Sequence, residues 1–163
     1  MEEAARAELE DRVRKACEAG DHDGAATEAI RGYGREVFGF LLAMQRSEEE
    51  ASEIFSIWSE SLWKGLPKFA WECTLRTWAY TIARHAAYRY QKRERRRAEG
   101  QVGLDPSSGS GSGLPIGAVV QQVRTETREW LKTEQKDRFA ALRATLPEED
   151  QTLLILRVDR GLA

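Results

Sequence analysis

Long apolar runs are missing from this sequence, and cysteines are few. No stretch approaches the roughly 18 apolar residues that would suggest a membrane span. The opening MEEAARAELEDR is acidic and has no apolar core, so it is not typical of a secretory signal. Cys17 and Cys73 are far apart. We therefore expect a cytoplasmic protein with reduced thiols and no membrane contact.

The short motifs of catalysis are also absent. The sequence has no GxxxxGKS phosphate loop, no HExxH, no GxSxG and no CxxC. Cys17 with His22 and Cys73 with His85 do not give the spacing of a four-ligand metal site. The many carboxylates cluster at helix starts, where the helix dipole explains them. We expect no catalytic residue, no metal and no cofactor.

Apolar residues recur at helical spacing, whereas strand signals are weak, so the predicted class is all-α. Residues 3–19 read as an acidic helix that ends before Gly20. The next helix carries one broad stripe formed by Ile30, Tyr33, Val37, Phe40, Leu41 and Met44. Ser47 and Glu50 have capping-box spacing. The helix after them should bury Ala51, Ile54, Phe55, Trp58 and Leu62.

Thr74 is the candidate cap of a further helix whose C-terminal half is strongly basic. Its predicted buried stripe is Leu75, Trp78, Ile82 and Ala86. Residues 84–97 read RHAAYRYQKRERRR and carry a net charge of +6, which leaves −8 for the rest of a chain whose total is −2. A polyanion would therefore be attracted mainly to one face.

Eleven of the sixteen residues in 100–115 are Gly, Ser or Pro, which predicts a flexible linker. Helical patterning resumes with Val119, Val120, Val123, Trp130 and Leu131, then Phe139, Leu142 and Leu146, and a plausible C-cap at Gly161. This piece is too short for a stable core of its own. It should pack on the first domain, on a partner or on residues outside the chain. The predicted division is an acidic helix at 1–23, a bundle at 24–97, a linker at 98–115 and an incomplete helical domain at 116–163.

The basic helix favours nucleic-acid binding. Arg84, Tyr88 and Lys92 share one face, and His85, Arg89 and Arg93 form the adjacent row. Guanidinium groups suit phosphates, and tyrosines such as Tyr88 and Tyr90 suit stacking on bases. The loop before the helix contains Phe69 and Trp71, which either stack on bases or fill the core. A merely solvated basic helix end is the alternative.

Residues 47–97 resemble the promoter-melting domain of bacterial sigma factors, in particular the extracytoplasmic-function group. The resemblance rests on Trp63, LPKF at 66–69, the Trp78–Ala79–Tyr80 triplet, and Ile82–Ala83–Arg84 before the basic residues. Residues 139–163 resemble the start of the family's second domain. The sequence stops before the helix-turn-helix, so we expect no reading of the minus-thirty-five element.

The resemblance implies a transcription initiation factor with two partners, core RNA polymerase and partly single-stranded promoter DNA, and an anti-sigma factor is a further candidate. The implied polymerase contacts are Glu53, Ser56, Ile57 and Glu60. The implied contacts to the minus-ten element are Phe69, Trp71, Thr74, Arg76, Thr77, Arg84, His85, Tyr88, Arg89, Lys92 and Arg93.

Four positions depart from the family's usual residues. Glu53 and Ser56 replace Asp and Gln, and His85 and Arg89 replace Asn and Asp. We expect the promoter preference to depend on the second pair. The rival hypotheses are a helical DNA-binding regulator that does not bind polymerase and a protein-interaction module.

Overall fold

The computed structural model describes residues 3–45, 47–100, 115–131, 144–147 and 150–152. Its helices are α1 (Glu3–Glu18), α2 (His22–Met44), α3 (Glu48–Gly65), a short 3-10 turn (Leu66–Lys68), α4 (Leu75–Ala98) and α5 (Gly117–Leu131). These residues include no strand, so the all-α prediction is confirmed. No helix among them is long and apolar enough to cross a membrane. Most of the predicted linker (101–114), Phe139, Leu142 and Gly161 lie outside the described residues.

Side-chain caps fix where the central helices begin. The Ser47 hydroxyl accepts the Glu50 N–H at 3.1 Å and starts α3, as the capping-box spacing predicted. The Thr74 hydroxyl accepts the Thr77 N–H at 3.1 Å and starts α4. Each cap satisfies a backbone donor that has no partner within its own helix.

The core lies where α2 and α3 meet α4. All five predicted inward residues of α3 are fully buried, as is the predicted α2 stripe apart from the half-buried Met44. Trp58 sits at the centre, with its ring stacked on Phe55 at a centroid distance of 4.9 Å. Its indole N–H donates to the Ala79 carbonyl of α4 at 2.9 Å. This hydrogen bond links α3 to α4 inside the core.

The buried face of α4 differs from the predicted one. Leu75 and Ala86 are buried, but Trp78 and Ile82 are only half-buried. The buried stripe also includes Arg76, Ala79, Tyr80, Ala83, Ala87 and Tyr90. The small alanines allow α4 to approach its neighbours closely, which rotates the larger Trp78 and Ile82 towards the helix edge. Because Tyr90 is buried, its ring is not available to stack on bases.

Two further helices pack against α2. α1 buries Leu9 and Val13, so the acidic helix docks on the bundle. α5 follows the predicted linker and also packs on α2, with a smaller contact to α3. It buries Val119, Val120, Val123 and Thr127, and Ile116 just before the helix is buried as well. For α5, the described helix of this piece, the structure shows the first of the three predicted supports, the bundle.

Replacing the central indole should cost more stability than replacing a peripheral one. Trp58→Phe removes a buried hydrogen bond and leaves a cavity, so we expect a loss of about 1–3 kcal/mol in the free energy of unfolding. The matched control is Trp63→Phe. The indole of Trp63 is half-buried, and its N–H donates to the Asp23 carboxylate at 2.7 Å at the surface. We expect about 1 kcal/mol or less there. Urea denaturation measures both, and equal losses would contradict the central role of Trp58.

The docking of α1 should make stability sensitive to alkaline pH. The Tyr33 hydroxyl donates to the Glu10 carboxylate at 3.0 Å, and burial first, then Glu10, raise the pKa of this phenol. The unfolded chain ionises near pH 10 while the folded phenol keeps its proton, so stability falls as pH rises above about 10.

In Tyr33→Phe this loss is absent. Between pH 8 and 11 the variant should therefore lose about 1.4 kcal/mol less stability than the parent chain. Urea titrations at the two pH values give the difference directly. Identical pH slopes for both proteins would show that Tyr33 ionises normally.

Candidate nucleic-acid interface

The outward surface of α4 is basic and carries an exposed ring. Arg84, Tyr88 and Lys92 are exposed and lie one turn apart, as predicted. Tyr88 is the most exposed large apolar side chain recorded among the described residues, at 66%. His85 and Arg89 are exposed beside this row. The arrangement places positive charge and a stacking surface on one helix face, which is what single-stranded nucleic acid requires.

The edge of α4 that faces α3 is joined to it by polar contacts. The Arg89 guanidinium donates to the Ser61 hydroxyl at 3.3 Å. Arg93 pairs with Glu53 at 3.3 Å, and its guanidinium also lies 5.2 Å from the centre of the Tyr90 ring. Arg93 is thus partly covered, unlike the exposed Arg89. Ser61 had no signal in the sequence, because only the packing of α3 on α4 brings it beside Arg89.

The aromatic loop between α3 and α4 forms a stack of rings. Phe69 lies on Trp78 with centroids 4.4 Å apart and nearly parallel planes, and Trp71 lies 4.8 Å from Phe69. The Arg14 guanidinium of α1 lies 4.5 Å from the Trp71 ring. Gly65 ends α3 against this stack, where a Cβ would come within 2.9 Å of Trp78. Phe69 and Trp71 are therefore half-buried. This state lies between the two predicted alternatives, which were stacking on bases and filling the core.

Trp71 has a backbone angle that is unusual for its type. Its φ is +59°, in the left-handed region that residues with a Cβ seldom occupy. Such a conformation costs of order 1 kcal/mol or more and persists only where surrounding contacts hold it. The contacts here are the Phe69 ring and the Arg14 guanidinium. Thr74, also predicted to contact DNA, is exposed at the end of this loop and caps α4 together with Thr77.

Arg76 points inward, in contrast to its predicted place on the DNA surface. It is 6% exposed, and its guanidinium pairs with Glu36 at 2.8 Å. Its backbone N–H donates to Glu10 at 3.4 Å. Helical spacing puts Arg76 on the same face of α4 as Tyr80, which is buried. The position of Arg76 near the helix start did not by itself reveal this. In this structure the side chain does not reach the surface shared by Arg84 and Lys92.

Residues 29–97, which cover most of α2, all of α3 and α4 up to its last residue, match the family model for sigma-70 region 2. This part of the chain is similar to region 2 of sigma-70 family factors. The match supports a role in promoter recognition and RNA polymerase binding. Searches of curated proteins and of solved structures returned no significant match.

The polymerase contacts that the resemblance implies lie on the outer side of α3. Glu53 is exposed, Ile57 is half-buried, and Glu60 pairs with Lys64 at 2.5 Å. Ser56 is different, because the guanidinium of Arg124 hydrogen-bonds to its hydroxyl.

α5 thus covers one flank of α3. Arg124 also donates to the Ser52 carbonyl at 2.6 Å, and burial lowers the pKa of its guanidinium. Arg128 donates to the Ser52 hydroxyl at 3.1 Å and pairs with Glu48. These two arginines are not among the predicted site residues, although their spacing of four residues was a usable signal, since it places both on one helix face. Of the four predicted polymerase contacts, Ser56 is thus engaged by α5, whereas Glu53 is exposed and Ile57 and Glu60 are half-buried.

Removing Arg76 should damage the fold rather than DNA binding. Arg76→Met leaves the half-buried Glu36 carboxylate without this partner, so we expect a loss of about 2 kcal/mol in the free energy of unfolding. The double variant Arg76→Met with Glu36→Leu should recover most of it, since no unpaired charge remains. Its affinity for single-stranded DNA should match that of the parent chain in fluorescence anisotropy. A stable double variant that binds DNA several-fold more weakly would show that Arg76 does contact DNA.

Proposed function

We propose that this chain is a sigma factor of the extracytoplasmic-function group, which melts the minus-ten promoter element on α4 and the aromatic loop while α3 holds core RNA polymerase. The observation that carries the proposal is the exposed row Arg84, Tyr88 and Lys92 beside the ring stack, inside the segment that matches sigma-70 region 2. Phosphates would follow the two cations, and a base would stack on the tyrosine between them.

Strand opening would be driven by trapping an unstacked base. The outer face of Trp71 is the natural stacking surface of the loop, and Arg14 now occupies it. A base that stacks there would take the place of the guanidinium, which is then close enough to pair with a neighbouring phosphate. Unstacking a base costs a few kcal/mol, and stacking on an aromatic ring returns about 1–3 kcal/mol, with phosphate contacts adding to this. The protein itself makes and breaks no bond.

Polymerase binding would use Glu53, Ile57 and Glu60, an apolar side chain flanked by two carboxylates. Such a mixed patch is typical of protein interfaces. Ser56 would join the interface only if Arg124 released it. An anti-sigma factor that covers the same side of α3 would exclude polymerase, which makes this surface the expected target of such a partner.

The DNA-binding half of the proposal is tested by the salt dependence of binding. We expect the full chain to bind single-stranded DNA with an affinity that falls steeply with salt. Each phosphate contact contributes about 0.7 to the slope of log K against log salt, so Arg84→Ala with Lys92→Ala should reduce the slope by about 1.4. The control is Arg12→Ala with Lys15→Ala, which removes the same charge from exposed positions of α1. Equal changes in both variants would indicate a general charge effect, and no binding by the parent chain would favour a protein-interaction module.

The polymerase half is tested by complex formation with core RNA polymerase. Glu53→Ala with Ile57→Ala should weaken the complex about tenfold or more, because the pair forms the centre of the exposed patch. The matched control on α1 is Glu8→Ala, an exposed carboxylate outside the patch. If the parent chain forms no complex while still binding DNA, the chain is a regulator that acts without polymerase.

A further inference from the structure

A cleft of about 340 Å³ lies between the C-terminal half of α3 and the middle of α4. It is lined by Ser61, Ile82, His85, Tyr88 and Arg89. Ile82 supplies an apolar floor, and the exposed phenol ring of Tyr88 supplies a wall. The remaining three side chains are polar. The α3–α4 cleft is thus large enough for one nucleobase and offers it both a stacking surface and hydrogen-bonding groups.

The guanidinium of Arg89 is held in place from α3. The Ser61 hydroxyl donates its single proton to the Ile57 carbonyl at 2.7 Å. Its oxygen is then free to accept, and it accepts from Arg89 at 3.3 Å. A guanidinium has five N–H donors and no acceptor, so this contact orients the group and leaves most of its donors for a ligand. Ser61 is therefore a positioning residue for Arg89.

A fixed guanidinium selects among the four bases. Guanine presents two adjacent acceptors, O6 and N7, which a guanidinium fork can bind at once, whereas adenine presents one acceptor and one donor on the same edge. Stacking on Tyr88 requires a base whose face is open, as in single-stranded DNA and not in a paired duplex. An unstacked guanine satisfies both requirements, because it has two adjacent acceptors and an open ring face.

We propose that the α3–α4 cleft binds one unpaired guanine of the promoter strand, with Arg89 on its O6 and N7 and Tyr88 on its face. The proposal rests on the proposed function and names the base that this surface selects. The cleft adjoins the ring stack, because Trp78 precedes His85 by seven residues along the same edge of α4, or about 10 Å. A single strand that leaves the Trp71 loop therefore passes the cleft.

The test compares short single strands of thymidine that carry one central dG, dA, dC or 7-deazaguanine. Anisotropy measurements on the full chain should show about tenfold tighter binding for dG than for dA or dC. 7-Deazaguanine keeps the ring face but lacks the N7 acceptor. The unmodified protein should therefore show little preference for it over dA or dC. The same oligonucleotides annealed into duplexes should show no preference for guanine.

Variants at three positions of the cleft separate base reading from base stacking. Arg89→Gln should bind all strands with nearly equal affinity. Ser61→Ala should reduce the preference for dG several-fold while leaving the salt slope unchanged, since no charge is removed. Thr125→Ala is its control, because it removes an exposed hydroxyl on α5 that also donates to the carbonyl four residues earlier. Tyr88→Ala should weaken all strands alike, and Tyr88→Phe should restore stacking.

The outcomes distinguish this proposal from the one on which it rests. Salt-dependent binding without any base preference would overturn the guanine site and leave the DNA-binding role of α4 intact. A preference for dG that survives Arg89→Gln, or that appears equally in duplex DNA, would also overturn it. Absence of binding to every strand would overturn the proposed function itself.

Discussion

The hydrogen bond from the Trp58 indole to the Ala79 carbonyl determines how the two functional helices face each other. A buried N–H must find an acceptor, and only one register of α4 against α3 presents this carbonyl at 2.9 Å. In that register Arg89 meets Ser61 and Arg93 meets Glu53. The cations of α4 and the carboxylates of α3 therefore point away from a common core. The geometry of the outer surface thus depends on one polar contact in the interior.

The sequence predicted the helices well wherever apolar spacing was regular. The inward face of α3 and the caps at Ser47 and Thr74 are confirmed, because these features depend on local spacing and local hydrogen bonds. The inward face of α4 was predicted less well. Its core side is made largely of alanines, and hydropathy alone ranks Trp78 above Ala79 although the smaller residue allows the closer helix contact.

The roles that the sequence did not predict depend on contacts between distant segments. Arg76 is basic and near a helix start, which suggests a phosphate contact until Glu36 is placed beside it. Trp71 was predicted only as either exposed or buried, and its actual state requires Arg14, which is far away in the chain. Arg124 likewise meets Ser56 only because α5 packs on the bundle. In each case the deciding contact joins residues that are far apart in the sequence, so local spacing does not reveal it.

The pair formed by Arg93 and Glu53 has a practical consequence for genetics. One residue belongs to the surface proposed for DNA and the other to the surface proposed for polymerase, yet they share one ion pair. A substitution at either position changes the electrostatic potential at both the surface proposed for DNA and the surface proposed for polymerase. Single mutants here will show mixed phenotypes, and only a double-mutant cycle with each ligand measured separately can assign the effect to one of them. At this ion pair the surface proposed for DNA and the surface proposed for polymerase are therefore electrostatically coupled.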